Sequence, residues 1–160
     1  MKFAADCMLG TLAKWLIILG HDVAYFRRID DGDLVRLARR QRRVILTADR
    51  RLVQRRDARN HVLIASHSLE EQIRQVLRER RLKVRRRDLF RRCVKCNVRA
   101  RTVARKAVRG LVPPYVFATR RRFTRCPSCG RIFWRATHVA RMVATVQKRL
   151  AGRRPRRSSA

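Results

Sequence analysis

Four of the five cysteines in this chain of 160 residues form two C-x-x-C pairs, Cys93 with Cys96 and Cys126 with Cys129, separated by residues 97–125. Such a pair turns two thiolates toward one point, and two pairs complete a closed tetrahedral Zn²⁺ site. Any fold of this chain must bring the pairs together, with the intervening segment looping out through Val112-Pro113-Pro114. Gly130, after the second pair, suits the tight turn that aims backbone N–H groups at the sulfurs. Four thiolates leave no open position for substrate, so the expected role is structural, organising a stretch with a small core of its own. Redox dithiols are the competing reading. Cys7 stands apart and reads as a small buried apolar residue.

Charge divides the chain at the same place. Lys and Arg number 43 against 11 Asp and Glu, a net charge of +32. All 11 acids lie at or before Asp88, while residues 89–160 carry 21 basic groups and none. Self-repulsion on this scale calls for a polyanion, and nucleic acid is the expected partner. Arginines number 37 and lysines 6, a skew that genomic nucleotide composition can produce. Composition explains Arg in place of Lys, but it explains a half without acids less well, so nucleic-acid binding stays the favoured reading. Hydrophobic residues, at 46%, suffice for a core. No run approaches the roughly 18 apolar residues of a membrane span, and residues 1–6 lack the regions of a signal peptide. The expectation is a soluble, cytoplasmic protein.

Residues 1–82 alternate short apolar runs with amphipathic stretches. Strands are expected at 2–6 (KFAAD), 22–26 (DVAYF), 44–47 (VILT) and 62–65 (VLIA). Helices are expected from Met8 to a stop at Gly20, over 34–41 behind a cap at Asp31 or Asp33, briefly after Asp49, and from Ser68 to about Arg80. Ser68 and Glu71 have capping-box spacing. This rhythm argues for an α/β unit with a mainly parallel sheet flanked by helices. The ribbon is expected over 90–136, a last helix over 137–150 and a disordered basic tail over 151–160.

Asp6, Asp31 and Asp49 hold comparable places after strands or at a helix start. In an open parallel sheet, functional groups gather beyond the carboxyl ends of the strands. Three crowded carboxylates repel one another unless a hard dication, Mg²⁺ or Mn²⁺, neutralises them. Such an ion activates water against a phosphodiester, and the basic surroundings deliver the backbone to it. Capping and turn chemistry are the ordinary alternative for each aspartate. Asp30 or Asp33 can replace Asp31 in this scheme, and spacing does not choose. Asp22, Asp57 and Asp88 read as surface or turn residues.

The motif blocks resemble a known family, the Mut-seven C-terminal RNase domain, a PIN-like nuclease fold with a C-terminal zinc ribbon. They are residues 6–16 (DCMLGTLAKWL), 19–22 (LGHD), 31–34 (DGDL) with Leu37-Ala38, and 45–50 (ILTADR). Arg92-Cys93 with Cys96, Val112-Pro113-Pro114, 126–130 (CPSCG), Phe133-Trp134, Thr137-His138 and Arg141-Met142 follow in the expected order. The resemblance implies metal-dependent RNA cleavage at Asp6, Asp31 and Asp49, and its leucine at 34 favours Asp31 over Asp30. Ala48, where a basic residue is common, and Ala136, where glycine is common, depart from the pattern.

Lys14, Arg50, Arg120, Arg121, Arg122 and His138 are candidate RNA contacts, Trp15 and Trp134 candidate core residues. The expected function is a ribonuclease with catalytic Mg²⁺ or Mn²⁺ and structural Zn²⁺, acting on RNA such as tRNA or rRNA. The alternative is an RNA- or ribosome-binding protein that keeps the scaffold without cleaving.

Overall fold

The computed structural model describes residues 1–134 together with Ala144. The expected helix over 137–150, its His138, and the tail lie outside the described residues.

Four short parallel strands form the first sheet: β1 (Lys2–Ala5), β2 (Asp22–Tyr25), β3 (Val44–Thr47) and β4 (His61–Leu63), in the order β2-β1-β3-β4. Helices α1 (Gly10–Ile18), α2 (Asp31–Gln41), α3 (Arg50–Gln54) and α4 (Leu69–Glu79) alternate with them. Strand alternation assigns the two faces. Phe3, Ala5, Val44 and Leu46 pack with Leu12 and Leu16 of α1 and with Ile73, Val76 and Leu77 of α4. Ala4 and Ile45 point the other way, against Leu34, Val35 and Ala38 of α2 and Leu52 of α3. Every residue of β3 is buried, as its unbroken apolar run requires of a strand covered on both sides. Each fully buried Leu or Phe contributes about 1.5–3 kcal/mol.

A 3₁₀ turn over Cys7–Leu9 precedes α1, so the helix starts later than its apolar stripe suggests. The turn leaves Cys7 exposed, contrary to its expected burial. At α4, Ser68 makes no side-chain cap. Ser66 Oγ instead donates to Glu71 Oε2 at 2.6 Å and accepts from Ser68 N at 3.0 Å, so the glutamate is taken by an upstream serine and the expected box does not form.

The second sheet is antiparallel, with β5 (Arg101–Val103), β6 (Phe123–Arg125) and β7 (Ile132–Trp134) in that order. The short helix α5 (Pro114–Thr119) lies in the excursion between the cysteine pairs. Val108, Val112 and Phe123 form a small core, with Val103, Phe117, Ile132 and Trp134 packed against it. Trp15 likewise packs at the margin of the larger core.

The two sheets are joined at β2, an edge strand. Val23 N donates to Asn97 Oδ1 at 3.2 Å, so an asparagine from the first cysteine turn covers part of the open edge. Asn97 Nδ2 donates to Asp22 Oδ1 at 2.9 Å, and Asp22 also takes Arg43 at 2.6 Å and Arg92 at 3.4 Å. Asp22 is thus a half-buried junction residue, not the plain surface or turn position its sequence suggested. Burial works to raise its carboxyl, yet the hydrogen bonds and charges of Arg43, Asn97 and Arg92 outweigh it and hold the group below the usual range. Gly20, at φ +96°, lets Asp88 come close: a Cβ there meets the Asp88 carbonyl oxygen at 2.5 Å.

Candidate active site and metal centre

The order β2-β1-β3-β4 places the topological switch between β1 and β3, where the chain leaves the first strand in opposite directions. Asp6 follows β1 and Asp49 follows β3, so both acids sit beyond the carboxyl ends of the two switch strands. Asp31 opens α2, the helix that returns from β2.

Asp6 is buried and tightly held. Its Oδ1 accepts from Cys7 N at 2.6 Å and its Oδ2 from Thr47 Oγ1 at 2.7 Å. Thr47 Oγ1 in turn accepts from Asp49 N at 3.0 Å. One buried hydroxyl therefore ties the first acid to the backbone of the third. Asp49 caps α3 through Oδ1, which accepts from Arg51 N at 2.7 Å.

The three neighbouring acids at α2 divide their roles. Asp30, not Asp31 or Asp33, is the cap: its Oδ1 accepts from Asp33 N at 2.8 Å, and this bond draws its carboxyl below the ordinary value. Asp33 is engaged by Arg36 at 2.5 Å. Asp31 makes no hydrogen bond or ion pair among the described residues. Partial burial, then the charges of Asp49 and Asp6, push its carboxyl up, against a smaller downward pull from Arg55. Asp31 therefore lies in the field of the other two, as like charges in one place dictate.

The aspartates are gathered less closely than the cysteines. Among the described residues, Cys93, Cys96, Cys126 and Cys129 form the group whose ligand atoms all lie within 4.8 Å of one another. Cys93 Sγ and Cys129 Sγ stand 3.6 Å apart, against about 3.8 Å for sulfurs at tetrahedral corners roughly 2.3 Å from a zinc. The two turns repeat one pattern. Cys96 N approaches Cys93 Sγ at 3.4 Å, and Cys129 N approaches Cys126 Sγ at 3.5 Å. Asn97 N donates to Cys93 O at 2.8 Å, and Gly130 N to Cys126 O at 3.0 Å. Asn97 and Gly130 are both left-handed, at φ 56° and 72°. Burial pushes the Cys93 thiol up to about 12, whereas the Arg131 backbone N–H holds Cys129 at about 7. The cluster is a zinc-type metal site closed by its own four sulfurs.

The basic candidates disperse. Arg50 is exposed directly after Asp49. Lys14 lines a cleft of about 290 Å³ with Lys95 and Phe26, between α1, β2 and the first cysteine turn. Arg121 and Arg122 are exposed before β6, while Arg120 ends α5. Thr47 and Arg92 stood inside the quoted motif blocks but were given no role there, and Asn97 was not singled out. A threonine two residues before the third acid was the available signal for Thr47; nothing local marked the junction role of Arg92 or Asn97.

Comparison with known proteins gives one family: the model described as the Mut7-C RNAse domain matches residues 1–146. No curated protein and no solved structure matches the chain. No helix among the described residues is long and apolar enough to cross a membrane.

Proposed function

The chain belongs to the Mut7-C RNAse domain family, and on that premise we propose that it is a metal-dependent endoribonuclease. In this reading residues 1–82 carry the chemistry and residues 90–136 grip the RNA. Asp6, Asp31 and Asp49 would hold Mg²⁺ or Mn²⁺, and Cys93, Cys96, Cys126 and Cys129 a structural Zn²⁺.

Asp31 carries this reading: a carboxylate with no hydrogen-bond or ion-pair partner among the described residues, pushed up first by burial and then by the charges of Asp49 and Asp6. Hard carboxylate oxygens are the donor set that such dications take. When bound, the cation would supply an activated water and charge stabilisation at the leaving oxygen. The chain's own contribution is to hold the donors. Thr47 and Cys7 N–H orient Asp6, Arg51 N–H orients Asp49, and Asp31 stays unpaired until its repulsion is relieved. Arg50, beside Asp49, and the Arg120–Arg122 run would meet phosphates, which sets affinity more than sequence choice. Lys14 would serve a strand crossing its cleft, and His138 stays in the proposed RNA-contact set. Four thiolates would leave a bound zinc no open position for substrate, so its part would be structural.

Asp49→Asn is the clean test, because asparagine retains the α3 cap while removing the charge. With purified protein, RNA and Mn²⁺, the variant should lose roughly a hundredfold or more of the cleavage rate. The competing reading, an RNA- or ribosome-binding protein that does not cleave, draws on the net charge of +32. Equal cleavage by variant and parent, with salt-sensitive RNA retention in both, would leave that reading in place.

A further inference from the structure

A second concave surface lies away from the aspartates. It is a groove of about 480 Å³ between residues 87–91 and the outer face of the β5-β6-β7 sheet, within the usual size of a small-ligand pocket. Strand register defines its floor. Phe123 pairs with Val103 and Trp134, and these pack on the small core, with Phe123 and Trp134 also reaching the edge of the groove. The alternate row, Thr102 opposite Thr124 opposite Phe133, turns to the other side and lines the groove.

Three features of that floor and rim point to one class of ligand. Phe133, half-buried, contributes an aromatic side chain to the lining of the groove. Arg87, Arg91 and Arg122 border the groove. Arg91 is paired with Asp88 at 3.2 Å, whereas Arg87 and Arg122 make no ion pair among the described residues. Thr124 Oγ1 is buried and lacks a hydrogen-bond partner among the described residues. A hydroxyl in that condition carries a desolvation cost that a polar ligand edge relieves. Phe90, on the opposite wall, has a left-handed backbone at φ 58°, rare for a bulky residue. Its N–H donates to Ile18 O at 2.9 Å, which fixes this wall to the α/β unit.

We propose that this groove is a subsite for one unpaired RNA nucleotide, with its base stacked on Phe133 and its flanking phosphates met by Arg87 and Arg122. An aromatic face, a buried hydroxyl and unpaired guanidinium groups together suit a base and its backbone; a duplex, whose bases are already stacked, cannot enter. The proposal rests on RNA being the partner but not on cleavage. It places the unpaired nucleotide across the junction from the aspartates, so the preferred substrate would combine a grip on single-stranded RNA with a cut elsewhere.

The test uses the full chain loaded with Zn²⁺, without added Mg²⁺ or Mn²⁺, so that binding is read whether or not the chain cleaves. Affinities for a single-stranded oligouridine and for a blunt RNA duplex are measured by fluorescence anisotropy for the parent, Phe133→Leu and Arg122→Gln. Phe133→Leu keeps an apolar side chain and should weaken single-strand binding about tenfold while leaving duplex binding unchanged. Arg122→Gln should reduce the salt slope for the single strand by about 0.7. Zinc content and circular dichroism check the fold of each variant, and photocrosslinking with 5-iodouridine should label Phe133 or Phe90. If a variant misfolds, the crosslink in the parent decides. Unchanged single-strand affinity in folded Phe133→Leu, or crosslinks confined to other surfaces, would overturn the subsite. Mn²⁺-dependent cleavage retained alongside that failure would leave the ribonuclease reading standing. Single-strand discrimination in a chain that never cleaves would do the reverse.

Discussion

The α/β unit and the ribbon hold their shapes by different means. In the first, Phe3, Leu12, Leu16, Leu34, Ile45, Leu46, Leu52, Ile73 and Leu77 are fully buried around one sheet. In the second, full burial of large side chains among the described residues comes down to Phe123, beside Val108 and the two buried thiols of Cys93 and Cys126. The acids follow the same division. Carboxylates meant to converge need rigid strand ends, which an apolar core provides. A polycation with little core needs a metal to hold it together, because its own charges push it apart. In the proposed function, chemistry and grip would thus occupy the regions whose stability suits each.

The sharpest way to break that contrast is to remove the zinc. Structural zinc contributes apparent free energies of about 10–16 kcal/mol in small zinc modules. Chelation, or Cys126→Ser, should therefore abolish amide protection in β5, β6 and β7 while β1 and β3 stay protected in hydrogen exchange. Simultaneous loss in both sheets would show one cooperative unit and end the contrast. The converse variant is Leu46→Ala, which should cost about 2–5 kcal/mol in urea unfolding followed on the α/β unit. Its zinc should stay bound until that unit melts.

A gentler probe is pH. His21 packs edge-on against Phe3, with ring centroids 5.8 Å apart. Its pKa is lowered to about 4, first by burial and then by the N-terminal charge and Arg92, with Asp88 opposing. Unfolded histidine titrates near 6.5, so between pH 6.5 and 4 the unfolded chain takes up a proton that the native chain refuses. Stability should fall through that window, by about 3 kcal/mol at most, and His21→Gln should flatten the slope. A slope unchanged by the substitution would place the titrating group elsewhere.

The smallest effect expected is on Asp31. Its carboxyl is raised in the native state, so its charge is a burden on folding above that value. Asp31→Asn should leave the thermal midpoint unchanged or slightly higher while removing activity, as expected of a residue kept for function. A clear drop in midpoint would make Asp31 a structural residue.

Much of this division was legible in advance. The VILT run, the helical stripes and the paired cysteines each carry a periodicity or spacing that one physical arrangement satisfies, and the parallel sheet and thiolate cluster follow. Asp6 and Asp49 were visible because strand ends are where such a sheet gathers polar groups. Spacing did not choose among Asp30, Asp31 and Asp33, since any of the three can cap a helix, and the leucine at 34 favoured Asp31 only through the family resemblance; the hydrogen bonds show that Asp30 is the cap and that Arg36 engages Asp33. Cys7 was misjudged because a 3₁₀ turn rotates it outward, and Ser68 because Ser66 competes for the same glutamate. Asp22 joins Arg92 and Asn97 across more than half the described chain, a pairing no local pattern encodes.

The measurement that bears most directly on the central claim is Mn²⁺ binding to zinc-loaded protein, followed by electron paramagnetic resonance. One ion per chain should bind the parent and be lost or strongly weakened in Asp6→Asn, Asp31→Asn and Asp49→Asn alike, while Asp30→Asn and Asp33→Asn bind as the parent does. Binding that survives all three of the first substitutions, or that fails equally in the last two, would contradict a shared site at the switch point.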